Sequence, residues 1–323
     1  FMQISVLLLP GMMGSSALGL LDVLTVASFI MPPEEGSLTV QRVALNDKPV
    51  MAFQGIPLQP DATIASVDKA DLILIPSLML DTRHWFTGQE EVISWVREQA
   101  NSGARVASVC TGAFVLAEAG LLDGKTATTH WAFAEHFRQR YPSVSLDVDA
   151  VLINHGRLLT AGAGMAWQDL LIQAISGMVS DNVLLQLRQT FLMQVHKDGQ
   201  KPFIGQPDSE HNDKQIQQAQ IWMKESLTND TVINDVIERS GLQQRTFQRR
   251  FRQAVGMSPV HYLQHLRMEA AKVALLRHEL SVENIGFTVG YNDSSFFRRL
   301  FRRHTGMSPA EYRKANRVKG GNH

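Results

Sequence analysis

The residues best able to do chemistry in the first half of the chain surround Cys110, the single cysteine among 323 residues. It joins the apolar run ARVASV to the helical pattern TGAFVLAEAG, with Ser108 and Gly112 two positions to either side. A strand that runs into a nucleophile and out into a helix makes a strained turn, which tolerates only small neighbours at that spacing. A helix N-terminus behind the sulfur would favour the thiolate. His130, in TTHW, could act as base or as imidazolium partner. That pattern fits a Cys-dependent amidase or hydratase, and it fits a redox-sensing thiol. It fits equally an inert cysteine packed as a small apolar group, with His130 a satisfied polar side chain. One cysteine excludes an intramolecular disulfide, and a reducing cytoplasm follows as the expected setting.

A second constellation lies near the other end. FQRRFRQAVGMSPVHY, residues 247–262, aligns with FRRLFRRHTGMSPAEY, residues 297–312, at an offset of 50. Phenylalanines four apart share one helix face, so Phe247 and Phe251 predict one buried stripe and Phe297, Leu300 and Phe301 another. Gln244, Arg245, Gln248, Arg249 and Arg252 then face solvent in the first copy, and Ser294, Ser295, Arg298 and Arg302 in the second. A helix, a short turn and a second helix rich in arginine form a helix-turn-helix unit. Its second helix offers Arg, Gln and Ser to base edges in a major groove, and its other arginines to phosphates. One basic helix alone reads as a solvated face. Two in register make nucleic-acid binding the better reading.

The elements that must hold these residues separate into two kinds. Up to about residue 190, apolar runs (ISVLLL, LTVQRVAL, LILIP, ARVASV, VLINHG, RLLTAG) alternate with helical patterns. This predicts parallel βαβ units in a doubly wound α/β domain, with helices on both faces of the sheet. HKDGQKPFIGQPDSEHN has no periodicity, so 195–212 reads as a linker. Everything from 213 to 316 reads as helix, with units at about 231–253 and 281–303, and 317–323 as a disordered tail. In the second unit Asn292 is the expected N-cap. The 31 basic and 31 acidic residues cancel, but residues 1–195 hold 11 basic against 18 acidic and residues 196–323 hold 20 against 13. An acidic module joined to a basic one suits a sensor tethered to a nucleic-acid binder. The run after Met2 is too short for a signal peptide and no stretch is long enough to span a bilayer, so no membrane partner is expected; Phe1, ahead of Met2, is left aside as an addition.

Residues 213 to about 315 resemble the DNA-binding domain of AraC-type transcription regulators. The turns GMSP at 256–259 and 306–309 match that family's G-x-S-P, and IGFTVGYNDSSFFRRLF, residues 285–301, follows its second unit. Gly286 replaces the usual Ala, at an expected cost of about 1 kcal/mol of helix stability. Gln243 stands where a Ser N-cap is common. The resemblance implies that the two units of one monomer enter successive major grooves, about 34 Å apart.

Residues 2–194 resemble the PfpI-like, class I amidotransferase-like superfamily, in the form fused to AraC domains in GlxA-like regulators. Cys110 matches its elbow residue and His130 its downstream His. Against the pattern P-G-x-x-x-x-D/E, Ser16 takes the place of the carboxylate in PGMMGSSALGLLDV, and Asp22 matches a different, later acid. Pro76-Ser77-Leu78 stands where active members have P-G-G. The resemblance thus implies a flavodoxin-like, catalytically degenerate domain that senses and dimerises. Its small-molecule pocket would be formed by Ser16, Ser77, Cys110, Thr111, His130 and Trp131. The expected protein is a cytoplasmic, nucleoid-associated bacterial activator, a homodimer bound to promoter DNA and working with RNA polymerase. Neither a cofactor nor a metal is expected.

Overall fold

Strands with Val, Ile and Leu at successive positions can be buried on both faces only if helices cover both faces. The computed structural model has that architecture, and it describes residues 1–79, 86–193, 200, 211–228, 232–276 and 280–316. The chain divides into a unit of Phe1–Gln200 and a unit of Lys201–His323.

The first unit runs β1 (Met2–Leu7), α1 (Gly14–Ile30), β2 (Leu38–Ala44), β3 (Val50–Met51), β4 (Pro57–Leu58), β5 (Ala62–Thr63), β6 (Leu72–Ile75), α2 (Glu90–Asn101), β7 (Arg105–Val109), α3 (Ala113–Glu118), β8 (Thr126–Ala127), α4 (Ala134–Arg140), β9 (Ser145–Leu146), β10 (Leu152–Asn154), β11 (Leu158–Ala161), α5 (Trp167–Ile175) and α6 (Asp181–Thr190). Seven strands pair in the order β10-β11-β7-β6-β1-β2-β5. All neighbours are parallel except the edge pair β10–β11. The central strands β2-β1-β6-β7-β11 follow the flavodoxin-like order 2-1-3-4-5, whose crevice opens at the carboxyl ends of the strands where the order reverses. Alternate residues serve opposite layers. Ile4, Val6, Leu72 and Leu74 join the core under α1, α5 and α6, while Ile73, Ile75 and Val106 join Val92, Phe114 and Phe137 on the other face. Helix α6, which the sequence reading passed over, starts at Ser180, whose hydroxyl accepts from the Val183 N–H at 3.4 Å.

Among its described residues the second unit has helices alone: α7 (Lys214–Glu225), α8 (Val232–Ser240), α9 (Gln244–Val255), α10 (Pro259–Leu276), α11 (Val282–Thr288), α12 (Ser294–Thr305) and α13 (Pro309–Asn316). The repeat seen in the letters is a repeat of packing. Phe247 and Phe297, Phe251 and Phe301, and Tyr262 and Tyr312 are all buried. Phe251 meets Tyr262 edge-on at 5.3 Å and Phe301 meets Tyr312 at 5.5 Å. Gly256 and Gly306 end α9 and α12 at the same left-handed φ of 79°. A side chain is strained there, which explains the glycine of both GMSP turns. Helix α10 contributes Tyr262, Leu263 and Leu266 to the first core, and Met268, Ala271 and Leu275 to the second.

Two local expectations are corrected and one holds. The N-cap of α12 is Asp293, not Asn292; its carboxylate accepts from the N–H groups of Ser295 at 2.8 Å and Phe296 at 3.0 Å. Gln243 does head α9, with no side-chain cap. Gly286 is more than a soft spot: a Cβ there would lie 3.1 Å from the Phe297 ring, so close packing opposes the helix propensity that alanine would add. Of the linker 195–212 only residues 200, 211 and 212 are described, and the tail 317–323 lies outside the described residues. Among the described residues no helix is long and apolar enough to cross a membrane.

Candidate nucleic-acid interface and effector site

The buried stripe of α9 fixes which side chains it presents. Gln244, Arg245, Gln248, Arg249 and Arg252 are exposed, and the last four line one open depression together with Gln253, which the sequence reading missed. Its signal was there, one turn beyond Arg249 on the same face. Among the described residues, no ion pair engages Arg245, Arg249 or Arg252. Arg250 has another task. Its guanidinium donates to Asp213 at 2.9 and 2.6 Å and to Gln215 at 2.7 Å, fastening α9 to α7.

On α12, Ser295, Arg298 and Arg302 are exposed and Ser294 is half-buried. Arg298 is ion-paired with Glu283 of α11. The position equivalent to Arg250 is Leu300, which is buried. Arg299, Arg303 and Phe296 are further exposed side chains on this helix.

In the α/β unit, Cys110 follows β7 with φ of +56°, in a short 3-10 turn over Cys110–Gly112 ahead of α3. A non-glycine residue held there costs about 1–3 kcal/mol and persists only where the surroundings enforce it. Gly112 is one enforcing feature, since a Cβ there would come within 2.9 Å of the Pro76 carbonyl. Thr111 is another. Its hydroxyl donates to the Leu78 carbonyl at 2.6 Å, accepts from the Leu78 N–H at 2.9 Å and lies 3.4 Å from the Ser77 hydroxyl. Ser16, in the first turn of α1, accepts from the Ser77 N–H at 3.0 Å and donates to the Met13 carbonyl at 3.1 Å. The first turn of α1 and the segments after β6 and β7 thus bring Ser16, Ser77, Thr111 and Cys110 together. Asp22 is exposed on α1.

The electrostatics weigh against the thiolate expectation. Burial pushes the Cys110 thiol up, against the opposing hydrogen bonds from Ser77 and Thr111. Burial also lowers the His130 pKa, which favours the neutral ring. Its Nδ1 accepts from the Ala132 N–H at 3.2 Å, so the imidazole caps the turn Trp131–Phe133. The preceding residue, Thr129, donates to the Cys110 carbonyl at 2.9 Å, which places this loop against the elbow. Trp131 is half-buried, its ring 5.1 Å from that of His130. Neither is in the hydrogen-bonded group at the elbow.

The comparisons with known proteins agree with both halves. The DJ-1/PfpI family model matches residues 2–175, and a helix-turn-helix domain model matches residues 236–315. The HTH-type transcriptional regulator CdhR of Pseudomonas aeruginosa is 26% identical over 252 residues, covering 77% of this chain and 74% of that one. The isonitrile hydratase of Pseudomonas putida is 34% identical over 150 residues, 43% of this chain and 60% of the enzyme. An AraC family transcriptional regulator from Pseudomonas putida superposes with a TM-score of 0.51 at 17% identity, over 59% of this chain and all of that structure, and so shares the fold. The chain belongs to the DJ-1/PfpI family, in the GlxA-like form that joins this α/β domain to an AraC-type helix-turn-helix domain and regulates transcription.

Proposed function

We propose that this regulator is a homodimeric, cytoplasmic activator that grips a promoter with α9 and α12, and whose α/β domain binds a small uncharged metabolite instead of turning it over. One observation carries the DNA-binding part of that reading. The exposed residues of α9 and α12 recur at an offset of 50 over a repeated core, so two arginine-rich helices are presented by the same scaffold. For duplex binding by such helices log Kd rises linearly with log salt, with a slope set by the phosphates contacted. Footprinting on promoter DNA should reveal a protected, sequence-specific site. Protection that is uniform along the duplex, or absent, overturns the reading.

The elbow supports binding over catalysis. The Ser77 and Leu78 N–H groups beside Cys110 are both already engaged, by Ser16 and Thr111, and so are not free to stabilise an oxyanion. Ser16 supplies no carboxylate to act as acid or base. Hydroxyls beside a thiol that burial pushes up, with an imidazole that burial pushes down nearby, suit a ligand without formal charge. Gln200, where the unit ends, gives the site a route outward. Its N–H donates to the Asp149 carbonyl at 2.8 Å and its Nε2 to the Ala150 carbonyl at 2.8 Å and Thr128 Oγ1 at 3.2 Å. Thr128 adjoins the Thr129 that holds the elbow, so occupancy at Cys110 can reach the segment leading to the DNA-binding helices. A thermal-shift screen of metabolites against the full chain finds the effector, since a ligand stabilises the state it binds. The strained cysteine, together with the similarity to an isonitrile hydratase, keeps an enzymatic reading testable: turnover of small nitriles or amides that disappears in Cys110→Ala would establish it.

A further inference from the structure

Outside these two sites, one cluster of ligating side chains has no task in DNA or effector binding. His265 and Glu269 stand four apart on α10, hence on one face. His304, in the last turn of α12, packs its ring 4.9 Å from that of His265 and brings Nε2 within 3.5 Å of Glu269 Oε1. The ligating atoms of all three lie within 4.8 Å of one another. Tetrahedral zinc, with bonds of about 2.0–2.2 Å, holds its ligand atoms about 3.3–3.5 Å apart. The His304–Glu269 pair is therefore already at ligand spacing, and the set closes with a rotamer adjustment of about 1 Å.

We propose that His265, Glu269 and His304 bind a divalent transition-metal cation of the Zn2+ class, water completing the coordination. Two imidazoles and a carboxylate are a donor set suited to that ion. Lys272 Nζ lies 2.7 Å from the same Glu269 Oε1 and orients the carboxylate, so ammonium and metal cation would share that oxygen. Lys272 also sets the limit on affinity, because a second cation must share this partly buried carboxylate. The fold does not require the cluster. In the first unit Ala254 occupies the place of His304, and that unit packs with Asp213–Arg250 instead. A bound ion would pin the last turn of α12 to α10 and stiffen the second unit without touching DNA.

The test uses the full chain, stripped with a chelator and titrated with Co2+ alone, then with Zn2+. One equivalent of Co2+ should give the intense visible bands of four-coordinate cobalt, and Zn2+ should displace it and raise Tm. His304→Gln and Glu269→Gln, checked for retained helicity by circular dichroism, should weaken Co2+ binding by at least about tenfold and abolish the Zn2+-dependent Tm rise. His261→Ala, at an exposed histidine outside the cluster, should bind as the parent does. No stoichiometric cobalt spectrum from the parent chain overturns the proposal, as does parent-like binding by folded His304→Gln.

Discussion

The two helix-turn-helix units share a core and differ at their rims. Phe247 and Phe251 pack at 5.6 Å in the first, and Phe297 and Phe301 at 5.8 Å in the second. Around that common interior, α9 has no side-chain cap, is fastened to α7 through Arg250, and leaves Arg245, Arg249 and Arg252 without ion pairs among the described residues. Helix α12 is capped by Asp293, buries Leu300 where α9 has Arg250, and holds Arg298 against Glu283. Duplication thus preserves what sets the fold, the aromatic stripe and the left-handed glycine, while the exposed residues diverge. An arginine with no partner meets a phosphate or a guanine without giving anything up, whereas Arg298 must first leave Glu283. The first unit is accordingly expected to be the stronger DNA anchor.

Three measurements put that comparison at risk. The largest effect is expected where the units are alike. Phe247→Ala and Phe297→Ala each remove a fully buried ring, at about 3–5 kcal/mol. Because the two cores have no buried residue in common, hydrogen exchange should show each change loosening mainly its own unit. Equal loosening of both units by either change would mean that they fold as one.

Next in size is DNA affinity. Arg249→Ala should cost about 1–3 kcal/mol on a specific site, or roughly 5- to 150-fold in Kd. Arg298→Ala should cost less, as part of what it loses at the DNA is regained by releasing Glu283. The reverse order in titrations at fixed salt would make the second unit the principal anchor. The smallest effect concerns the caps. Gln243→Ser should stabilise α9 by about 0.5–2 kcal/mol in thermal unfolding by supplying the missing cap. The Asp293 carboxyl is held below its usual value of 3.8 by the N–H groups of Phe296 and Ser295. Its capping contribution is therefore complete above pH 3.8 and lost as pH falls through the lower folded pKa. Asp293→Asn should keep α12 capped in acid, so amide exchange at Phe296 should respond to pH between 4 and 2 less in that variant than in the parent chain. An unchanged response would remove the cap from the account.

Much of this was legible in the letters. The alternation of Val- and Leu-rich runs with helical patterns predicted β1, β2, β6, β7 and β11 and the layers around them. The aromatic spacing predicted which faces of α9 and α12 are buried. The two-residue strands β3, β4, β5, β8 and β9 were not legible, because pairs of residues carry no periodicity. Asp293 was passed over for its neighbour Asn292, since both are good caps and only the helix start decides between them. At the elbow, residue types identified the strained turn, yet burial, which opposes the thiolate inferred from helix position, was not legible. Position along a helix is a local property, whereas burial depends on everything packed around the sulfur.

The sequence by itself determined the parallel sheet, the duplicated helical units and the arginine faces, because each follows from the spacing of side chains along a single element. Tertiary structure alone decided what meets across elements. It gave the Ser77 and Leu78 N–H groups to Ser16 and Thr111, Arg298 to Glu283 and Arg250 to Asp213, and it brought His304 to His265 and Glu269. Hydrogen bonds and ligation depend on distances of a few ångströms between residues far apart in the chain, and only the packed fold sets those distances.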